Sequence, residues 1–372
     1  MNVAILSMQH VNNFGSVLQA YALSKIIQSF ECNVSFLDIK RIDEDYKLLG
    51  DCTNRYSGET EKNGFISKVR KLASHPINRI DHKYKERKQD YFFEEFRKKN
   101  LLSSNSKEKI DLCVIGSDEV FNCLNAGYWG FSSQLFGNVQ ECNRIITYAA
   151  SCGATLYNDV PEIVLQRISE SFDRVSGFSV RDKNTYDFVS KLSHKTIMEH
   201  LDPVLIYDFE KEIEQVDMPN LPDNYCVIYS YRNRINDKRE IRSVSEFCKK
   251  NNLIPVSIGA PQYWTKEYIP CSPFECLKIF RNAPFVITDT FHGTIFSYKY
   301  SNKFAIIRRE SNYNKLTDLV NRLNLKDYLI ENNSIDWIYK NCNHKQCIDH
   351  SVDHERERTI SYLSGYLSNL NV

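Results

Sequence analysis

Residues 283–309 read APFVITDTFHGTIFSYKYSNKFAIIRR, and this stretch decides the fold class. Its first apolar run, 285–288, is short and rich in β-branched and aromatic residues, as strands are. From Gly293 onward apolar residues recur at helical spacing, and a second apolar run begins at Phe304. A strand, a helix and a strand in this order build a parallel sheet. The stretch therefore predicts an α/β protein.

The turn between the first strand and the helix carries Thr290, Phe291, His292 and Gly293. In open parallel sheets, ligands bind outside the carboxyl ends of the strands. A helix N-terminus also offers free N–H groups and a partial positive charge, which favour an anion. The turn is thus a candidate anion site, although a lone histidine in a turn is most often a solvated or capped residue.

The same alternation of strands and helices fills most of the chain. Runs such as NVAILS, IDLCVIGSD, RIITYAASCG, VSGFSVRD, YCVIYSY and LIPVSIG are predicted strands, and NNFGSVLQAYALSKIIQSF predicts a turn followed by a helix. Proline and polar residues at 217–224 predict a linker. We expect a first lobe over 1–216, a second lobe over 225–345, a C-terminal helix over 346–372, and a cleft between the lobes.

Composition limits the partners. The formal net charge of the 372 residues is +1, which gives no general attraction to nucleic acid. The sequence has no apolar run of membrane-spanning length and no leader-like start, so we expect a cytoplasmic protein. Twelve scattered cysteines predict reduced thiols. Five potential zinc ligands lie close together near the C-terminus, but their spacing favours a surface loop, and no metal is expected. These are Cys342, His344, Cys347, His350 and His354.

A basic segment interrupts the first lobe. Residues 62–99 hold twelve Lys or Arg against five Asp or Glu, and two amphipathic patterns predict a helical excursion over about 60–100. The first pattern comprises Phe65, Ile66, Val69, Leu72 and Ala73, and the second comprises Ile80, Tyr84, Tyr91, Phe92 and Phe96. The basic face is either simply solvated or a surface for an anionic membrane or a phosphate-bearing acceptor.

The motifs NNFGSVLQAYAL, VIGSDEVFN, TYAASCG, SVRD, LDP and TDTFHGTIFS follow one another along the chain. As a set and in this order, they resemble the polysaccharide pyruvyl transferase family. The resemblance implies two Rossmann-like lobes in a GT-B-like arrangement. It also implies transfer of the enolpyruvyl group of phosphoenolpyruvate onto two hydroxyls of a sugar, which gives a cyclic pyruvate ketal and phosphate. No cofactor is implied, because phosphoenolpyruvate is the donor substrate.

The resemblance also implies an acceptor in a capsule, a cell-wall polymer or an undecaprenyl-diphosphate-linked precursor. Such an acceptor would bring the protein to the inner face of the membrane through the segment 62–99.

The resemblance assigns roles to residues of this chain. Arg181 matches an arginine that grips the donor, and Asp118 and His292 match the positions of the required acid and base. We favour His292 as the acid beside the phosphate and Asp118 beside the reacting carbon, with the reverse assignment open. Further substrate contacts are expected at Ser117 and Thr290, an anion contact at the backbone of Gly293, and acceptor contacts at Asn12, Asn13, Gly15 and Ser16.

One position departs from the family pattern. Thr290 stands where some members have an arginine, so another cation is needed to hold the donor. Arg232 is our first candidate, and Arg234, Arg308 and Arg309 are alternatives. Each chosen residue also has a structural interpretation as a turn, cap or ion-pair residue.

Two other functions fit the same layout. One is a glycosyltransferase that uses a nucleotide sugar, and the other is a non-catalytic protein that binds a phosphorylated glycan. The sequence contains neither a G-x-G-x-x-G turn nor a P-loop lysine motif.

Overall fold

The computed structural model describes residues 1–49, 76–101, 109–124, 129–344 and 350–368. Within these residues the chain forms two parallel sheets with helices around them, and the predicted α/β architecture with two Rossmann-like lobes is confirmed. The first sheet has the order β2-β1-β3-β4-β5-β6. Its strands are β1 Asn2–Leu6, β2 Asn33–Leu37, β3 Leu112–Asp118, β4 Ile145–Ala150, β5 Val175–Val180 and β6 Ile197–Glu199.

The second sheet has the order β11-β10-β7-β8-β9 and is also parallel throughout. Its strands are β7 Tyr225–Tyr229, β8 Ile254–Ile258, β9 Glu267–Ile269, β10 Phe285–Thr288 and β11 Phe304–Ile306. The quoted apolar runs form β1, β3, β4, β5, β7, β8, β10 and β11. Strands β2, β6 and β9, which the sequence analysis does not include, are all edge strands, and the latter two have only three residues each.

The helices of the first lobe and the connection that follows it are α1 Phe14–Gln28, α2 Asp43–Leu49, α3 Pro76–Asn100, α4 Glu162–Phe172, α5 Lys183–Ser190, α6 Pro203–Ile206 and α7 Glu210–Glu214. Those that follow are α8 Lys238–Lys250, α9 Pro273–Asn282, α10 Phe291–Tyr300, α11 Tyr313–Arg322, α12 Ile335–Asn341 and α13 His350–Leu367.

Each sheet has one point where the strand order reverses. In the first sheet it lies between β1 and β3, and in the second between β7 and β10. A crevice opens at the carboxyl ends of the strands at such a point, because the neighbouring connections leave in opposite directions. The residues just after these four strands are therefore the ones that the fold places at a binding site.

Helix α1 lies between the two lobes. It is apolar on nearly all sides, and thirteen of its residues are buried. A helix that is apolar all round must be covered on every face. One hydrophobic core accordingly runs from β1 and β3 through α1 into α9, α10 and β7 of the second lobe.

Helix α3 spans both lobes along the edge of the interface. Phe93 packs on Phe14 of α1 with ring centroids 4.9 Å apart, while Gln89 exchanges two hydrogen bonds with the backbone of Cys271 in the second lobe. The predicted pattern is wrong in part, because Tyr84 and Tyr91 are exposed and the buried face carries Gln89, Phe93 and Phe96. The first predicted pattern, 65–73, and the side chain of Ile80 lie outside the described residues.

The last helix, α13, returns to the first lobe. The Tyr362 hydroxyl donates to the backbone oxygen of Thr147 on β4, and the Tyr148 hydroxyl lies 3.0 Å from Thr359 Oγ1. Leu363 of this helix is fully buried, whereas Ile360 is exposed.

Helices within the described part of the chain are all too short or too polar to cross a membrane. Of the five potential zinc ligands, Cys347 and the side chain of His350 lie outside the described residues. Among the residues that are described, no group of three or more His, Cys, Asp or Glu side chains could hold a metal ion.

Candidate functional site

Two adjoining pockets open where the reversal points of the two sheets face each other. The charged pocket is lined by Met8, Val11, Asn13, Ser16, Asp118, Glu119, Arg181, Tyr231, Phe291, His292 and Lys315. The aromatic pocket is lined by Asn12, Asn13, Phe14, Phe93, Tyr229, Ser230, Tyr231, Gly259, Ala260, Thr290 and His292. Asn13, Tyr231 and His292 line both pockets and form their boundary.

His292 lies in the first turn of α10, which begins two residues before the predicted Gly293. Its side chain is buried, with only 8 % of the residue exposed, so it is not a solvated turn histidine. Gly15 explains its position, since a Cβ on Gly15 would lie 2.0 Å from His292 Nδ1. The N-terminal turn of α1 thus supports one side of the imidazole with bare backbone.

A buried carboxylate, Asp202, links His292 to Arg181. Its Oδ2 accepts a 2.8 Å hydrogen bond from Arg181 Nη1 and lies 3.3 Å from His292 Nε2. The second contact has the distance of an ion pair but not the alignment of a hydrogen bond. Burial alone would raise the pKa of Asp202, but His292 and Arg181 outweigh it and hold that pKa well below its usual range. Asp202 therefore stays ionised and orients both partners.

Arg181 follows β5 and is almost entirely enclosed. Its guanidinium lies 4.2 Å from the Phe291 ring centroid and 3.9 Å from Asp118 Oδ1. Burial opposes its charge, yet Asp202 and Asp118 raise the pKa of Arg181 above the ordinary value. Among the described residues, Arg181 Nε has no hydrogen-bond partner. A permanent cation with an unused donor thus borders the charged pocket.

Asp118 ends β3 in a left-handed backbone conformation, with φ of 78°. Its Oδ2 accepts a 2.7 Å hydrogen bond from Ser16 Oγ of α1, which lies in the same lobe. Ser117 is not part of either pocket lining: its Oγ accepts a hydrogen bond from the backbone N–H of Asp118 and lies 3.3 Å from Asp202 Oδ2. Ser16 and Asp118 thus line the pocket together, while Ser117 contacts Asp118 and Asp202 outside the lining.

A second cation in the charged pocket is Lys315 of α11. It is ion-paired with Glu119, the residue after Asp118. Burial disfavours the charged lysine, but Glu119 outweighs this and raises the pKa of Lys315. Lys315 in turn lowers the pKa of Glu119 to about 2 against the effect of burial. The pair crosses from the second lobe to the first at the mouth of the site.

Three further predicted residues have structural partners. Asn13 caps α1 through a 2.7 Å hydrogen bond from Gly15 N, and Thr290 caps α10 through a 2.9 Å hydrogen bond from Gly293 N. The N–H of Gly293 is therefore already taken. A Cβ on Gly293 would lie 2.1 Å from Thr288 Oγ1, so the glycine is required for packing rather than for the close approach of an anion.

Arg232 does not line either pocket. Its guanidinium forms a double contact with Glu86 of α3, at 2.7 and 3.0 Å. The alternative arginines are also engaged elsewhere: Arg309 with Asp289 and Glu240, Arg308 with Glu331, and Arg234 with Ser311. The second cation at the pocket is Lys315 instead.

Sequence reasoning missed Asp202, Glu119 and Lys315 as members of the site. Asp202 lies in the quoted LDP motif and Glu119 in VIGSDEVFN, so both carried a signal that was not used. Lys315 carried none, because it faces the pocket from an amphipathic helix whose sequence resembles that of any surface helix.

The overall fold is distantly similar to several solved structures. They include a Staphylococcus aureus MnaA–UDP structure (12 % identity, 100 % of this chain and 98 % of the other, TM-score 0.47). A second is a Methanocaldococcus jannaschii UDP-GlcNAc 2-epimerase with UDP-GlcNAc and UDP (12 % identity, 98 % of this chain and 99 % of the other, TM-score 0.45). A third is an α-glucosyltransferase with UDP (9 % identity, 98 % of this chain and 95 % of the other, TM-score 0.46). These similarities are too remote to bear on function.

No curated protein gives a significant sequence match. The sequence profile of the polysaccharide pyruvyl transferase family, in contrast, matches residues 13–311, a range that begins at the cap of α1 and includes Asp118, Arg181, Asp202 and His292. The chain belongs to the polysaccharide pyruvyl transferase family.

Proposed function

We propose that this protein transfers the enolpyruvyl group of phosphoenolpyruvate to two hydroxyls of one sugar residue, forming a cyclic pyruvate ketal and releasing phosphate. The observation that carries the proposal is the charged pocket, where Asp118, Arg181, His292 and Lys315 meet between the lobes. Phosphoenolpyruvate bears a carboxylate and a phosphate, and two fixed cations beside an acid–base pair suit such a donor.

Arg181 is the proposed anchor of the donor. Asp202 uses only Nη1 of the guanidinium, so the fork retains donors for a carboxylate or phosphate oxygen. Lys315 is the second proposed anchor, because a phosphate at the pocket would compete with Glu119 for its ammonium group. This exchange would supply the charge that Arg232 does not provide.

The chemistry needs two proton transfers. A proton added to the methylene carbon of the donor makes the adjacent carbon electrophilic, and the first sugar hydroxyl bonds to it and loses its proton. Phosphate then leaves with the carbon–oxygen bonding electrons, and the second hydroxyl closes the ring. One hydroxyl proton ends in the new methyl group and the other on phosphate. Asp118 and His292 are the proposed carriers, with His292 beside the phosphate.

Ligand-induced stabilisation gives a rapid test of the donor. Phosphoenolpyruvate should raise the melting temperature of the protein, whereas uridine, guanosine and cytidine diphosphate sugars should not. Stabilisation by a nucleotide sugar and not by phosphoenolpyruvate would favour the glycosyltransferase alternative. Binding of phosphoenolpyruvate without phosphate release in the presence of any glycan would favour a binding protein.

We also propose that helix α3 contacts the lipid-linked group that carries the acceptor sugar. Helix α3 borders the aromatic pocket through Phe93, and it exposes Lys83, Arg87, Lys88 and Lys99 to solvent. A lipid-linked diphosphate acceptor would present negative charge next to this surface if its sugar entered the pocket. The helix is therefore the proposed contact for a membrane-held acceptor.

A further inference from the structure

The aromatic pocket is a second binding space that the donor chemistry does not use. It adjoins the charged pocket at Asn13, Tyr231 and His292 and is walled by both lobes. Phe14 of α1 and Phe93 of α3 close one side, and Ser230 and Ala260 of the second lobe lie on the other. A ligand in this pocket would therefore contact His292, which also lines the pocket that contains Arg181 and Lys315.

Ser230 has an unused hydroxyl in this pocket. The residue follows β7 at the reversal point of the second sheet and is only 4 % exposed. Its Oγ has no hydrogen-bond partner among the described residues. A buried hydroxyl without a partner is unfavourable, so its presence in a pocket lining indicates a ligand that supplies the missing hydrogen bond.

The lining of the aromatic pocket is uncharged apart from the titratable His292. None of its described lining residues is Asp, Glu, Lys or Arg, whereas the adjoining pocket has Asp118, Glu119, Arg181 and Lys315. Taking a charged group out of water into a lining without an opposite charge is costly. The aromatic pocket thus selects against a carboxylate or phosphate on the part of the ligand that it encloses.

Tyr231 offers an exposed ring at the boundary. Almost half of the residue is exposed, at 48 %, and it lines both pockets. Tyrosine combines an apolar ring face with a polar hydroxyl, which suits a ligand with both C–H surface and hydroxyl groups. Pockets of this kind, with aromatic walls and a few placed polar groups, are typical of small-molecule sites.

From these observations we infer that the aromatic pocket binds the acceptor as an uncharged pyranose, with one of its hydroxyls hydrogen-bonded to Ser230. This inference rests on the proposed function only where it calls the bound sugar the acceptor. The binding of a neutral sugar does not depend on the proposed function. The reacting hydroxyls then lie at the boundary, between His292 and the donor. Sugars with a carboxylate on the enclosed ring are excluded.

The test measures binding of simple glycosides by saturation-transfer NMR, with and without phosphoenolpyruvate. The probes are the methyl glycosides of glucose, galactose and N-acetylglucosamine, each compared with methyl glucuronide. We expect at least one neutral glycoside to bind and methyl glucuronide to bind at least about tenfold more weakly. Equal or tighter binding of the uronate, or binding of none of the glycosides in either condition, would overturn the inference.

Two variants locate the binding. Ala260→Phe fills the aromatic pocket without touching the charged one, so it should abolish glycoside binding, and Ala260→Ser is the matched control that should retain it. Ser230→Ala should weaken binding about 2- to 10-fold, as expected for one lost hydrogen bond. Undiminished glycoside binding by Ala260→Phe would contradict the location.

Calorimetry with phosphoenolpyruvate on the same proteins separates the two proposals. Donor binding should be equal in wild type, Ala260→Phe and Ala260→Ser. Glycoside binding without any donor binding in wild type would refute the proposed function and leave the sugar site standing. Donor binding in wild type, together with unimpaired glycoside binding by Ala260→Phe, would leave the proposed function standing and refute the sugar site in the aromatic pocket.

Discussion

At the scale of single residues, the backbone of Gly15 in the first lobe lies against the imidazole of His292 in the second lobe. Because a Cβ would lie 2.0 Å from Nδ1, Gly15→Ala must displace the imidazole. We predict that this variant folds, since alanine favours a helix, but that its turnover falls at least about tenfold. The control is Gly365→Ala on α13, where a Cβ meets no atom within 4 Å. Equal turnover in both variants would refute a positioning role for Gly15.

His292 itself is predicted to transfer a proton. His292→Asn keeps a polar side chain but removes this capacity, so turnover should fall by about 10²- to 10⁴-fold in a steady-state assay of phosphate release. Because the residue is buried and close to Asp202, a moderate decrease in melting temperature should accompany the loss. Wild-type turnover in a folded variant would exclude the assignment.

Arg181 is predicted to hold the donor by its planar fork. Arg181→Lys keeps a positive charge near Asp202 but cannot serve Asp202 and the donor with the same geometry. We expect the affinity for phosphoenolpyruvate in calorimetry to fall at least about tenfold with a folded protein. Arg322→Lys on α11, also ion-paired but outside both pocket linings, is the control and should bind normally. Near-native donor binding by Arg181→Lys would remove Arg181 from the site.

Which residues meet was only partly predictable from the sequence. Asp118, Arg181 and His292 come together because each lies at or just after the end of a strand of a parallel sheet, and strand ends can be identified from apolar runs. Arg232 follows a strand as well, but a long side chain can turn to an unforeseen partner, here Glu86. The contacts of the two glycines could not be predicted either. Only the packed structure shows that Gly293 lies against Thr288 and Gly15 against His292.

At the scale of elements, α3 is the link between the basic segment and the site. Its buried face closes the aromatic pocket through Phe93, and Glu86, Gln89 and Asp90 bind residues of both lobes. The sequence predicted a helix here, but periodicity could not show which side would be buried. Aromatic residues occur on both sides of α3, and the choice depends on the lobes it contacts.

Charge reversal on α3 tests its proposed role with the acceptor. Lys83→Glu, Arg87→Glu and Lys99→Glu together change the exposed face. We predict weaker use of a lipid-linked diphosphate acceptor in anionic vesicles, with unchanged donor binding and unchanged use of a soluble acceptor. The effect should diminish as salt is raised. Unchanged kinetics with the lipid-linked acceptor would leave α3 as a structural wall only.

At the scale of the whole molecule, α13 fastens the end of the chain to the first lobe over a buried histidine. His200 packs between Tyr148 and Tyr362, with ring centroids 5.7 and 4.9 Å away, and Ser179 Oγ lies 2.8 Å from its Nδ1. Burial, and then Arg358 of α13, lower the pKa of His200 from 6.5 to about 4. The sequence did not indicate this contact, because it joins residues far apart in the chain.

This histidine makes stability depend on pH. Since its pKa is lower in the folded than in the unfolded protein, the unfolded state binds the proton first, and stability is lost as pH falls from about 6.5 toward 4. Between pH 7.5 and 5 the loss attributable to His200 is about 2 kcal/mol. Urea unfolding at both pH values should show a smaller loss in His200→Gln than in wild type. Identical pH dependence would contradict the lowered pKa.

The central claim is the transfer of an enolpyruvyl group through protonation of its methylene carbon. Its most direct measurement is mass spectrometry and NMR of the product formed from phosphoenolpyruvate and a neutral glycan in D₂O. The account predicts a glycan heavier by one pyruvate less one water, with one deuterium in its methyl group and one phosphate released for each ketal. A product that retains the methylene group, or that carries a sugar from a nucleotide donor instead, would contradict it.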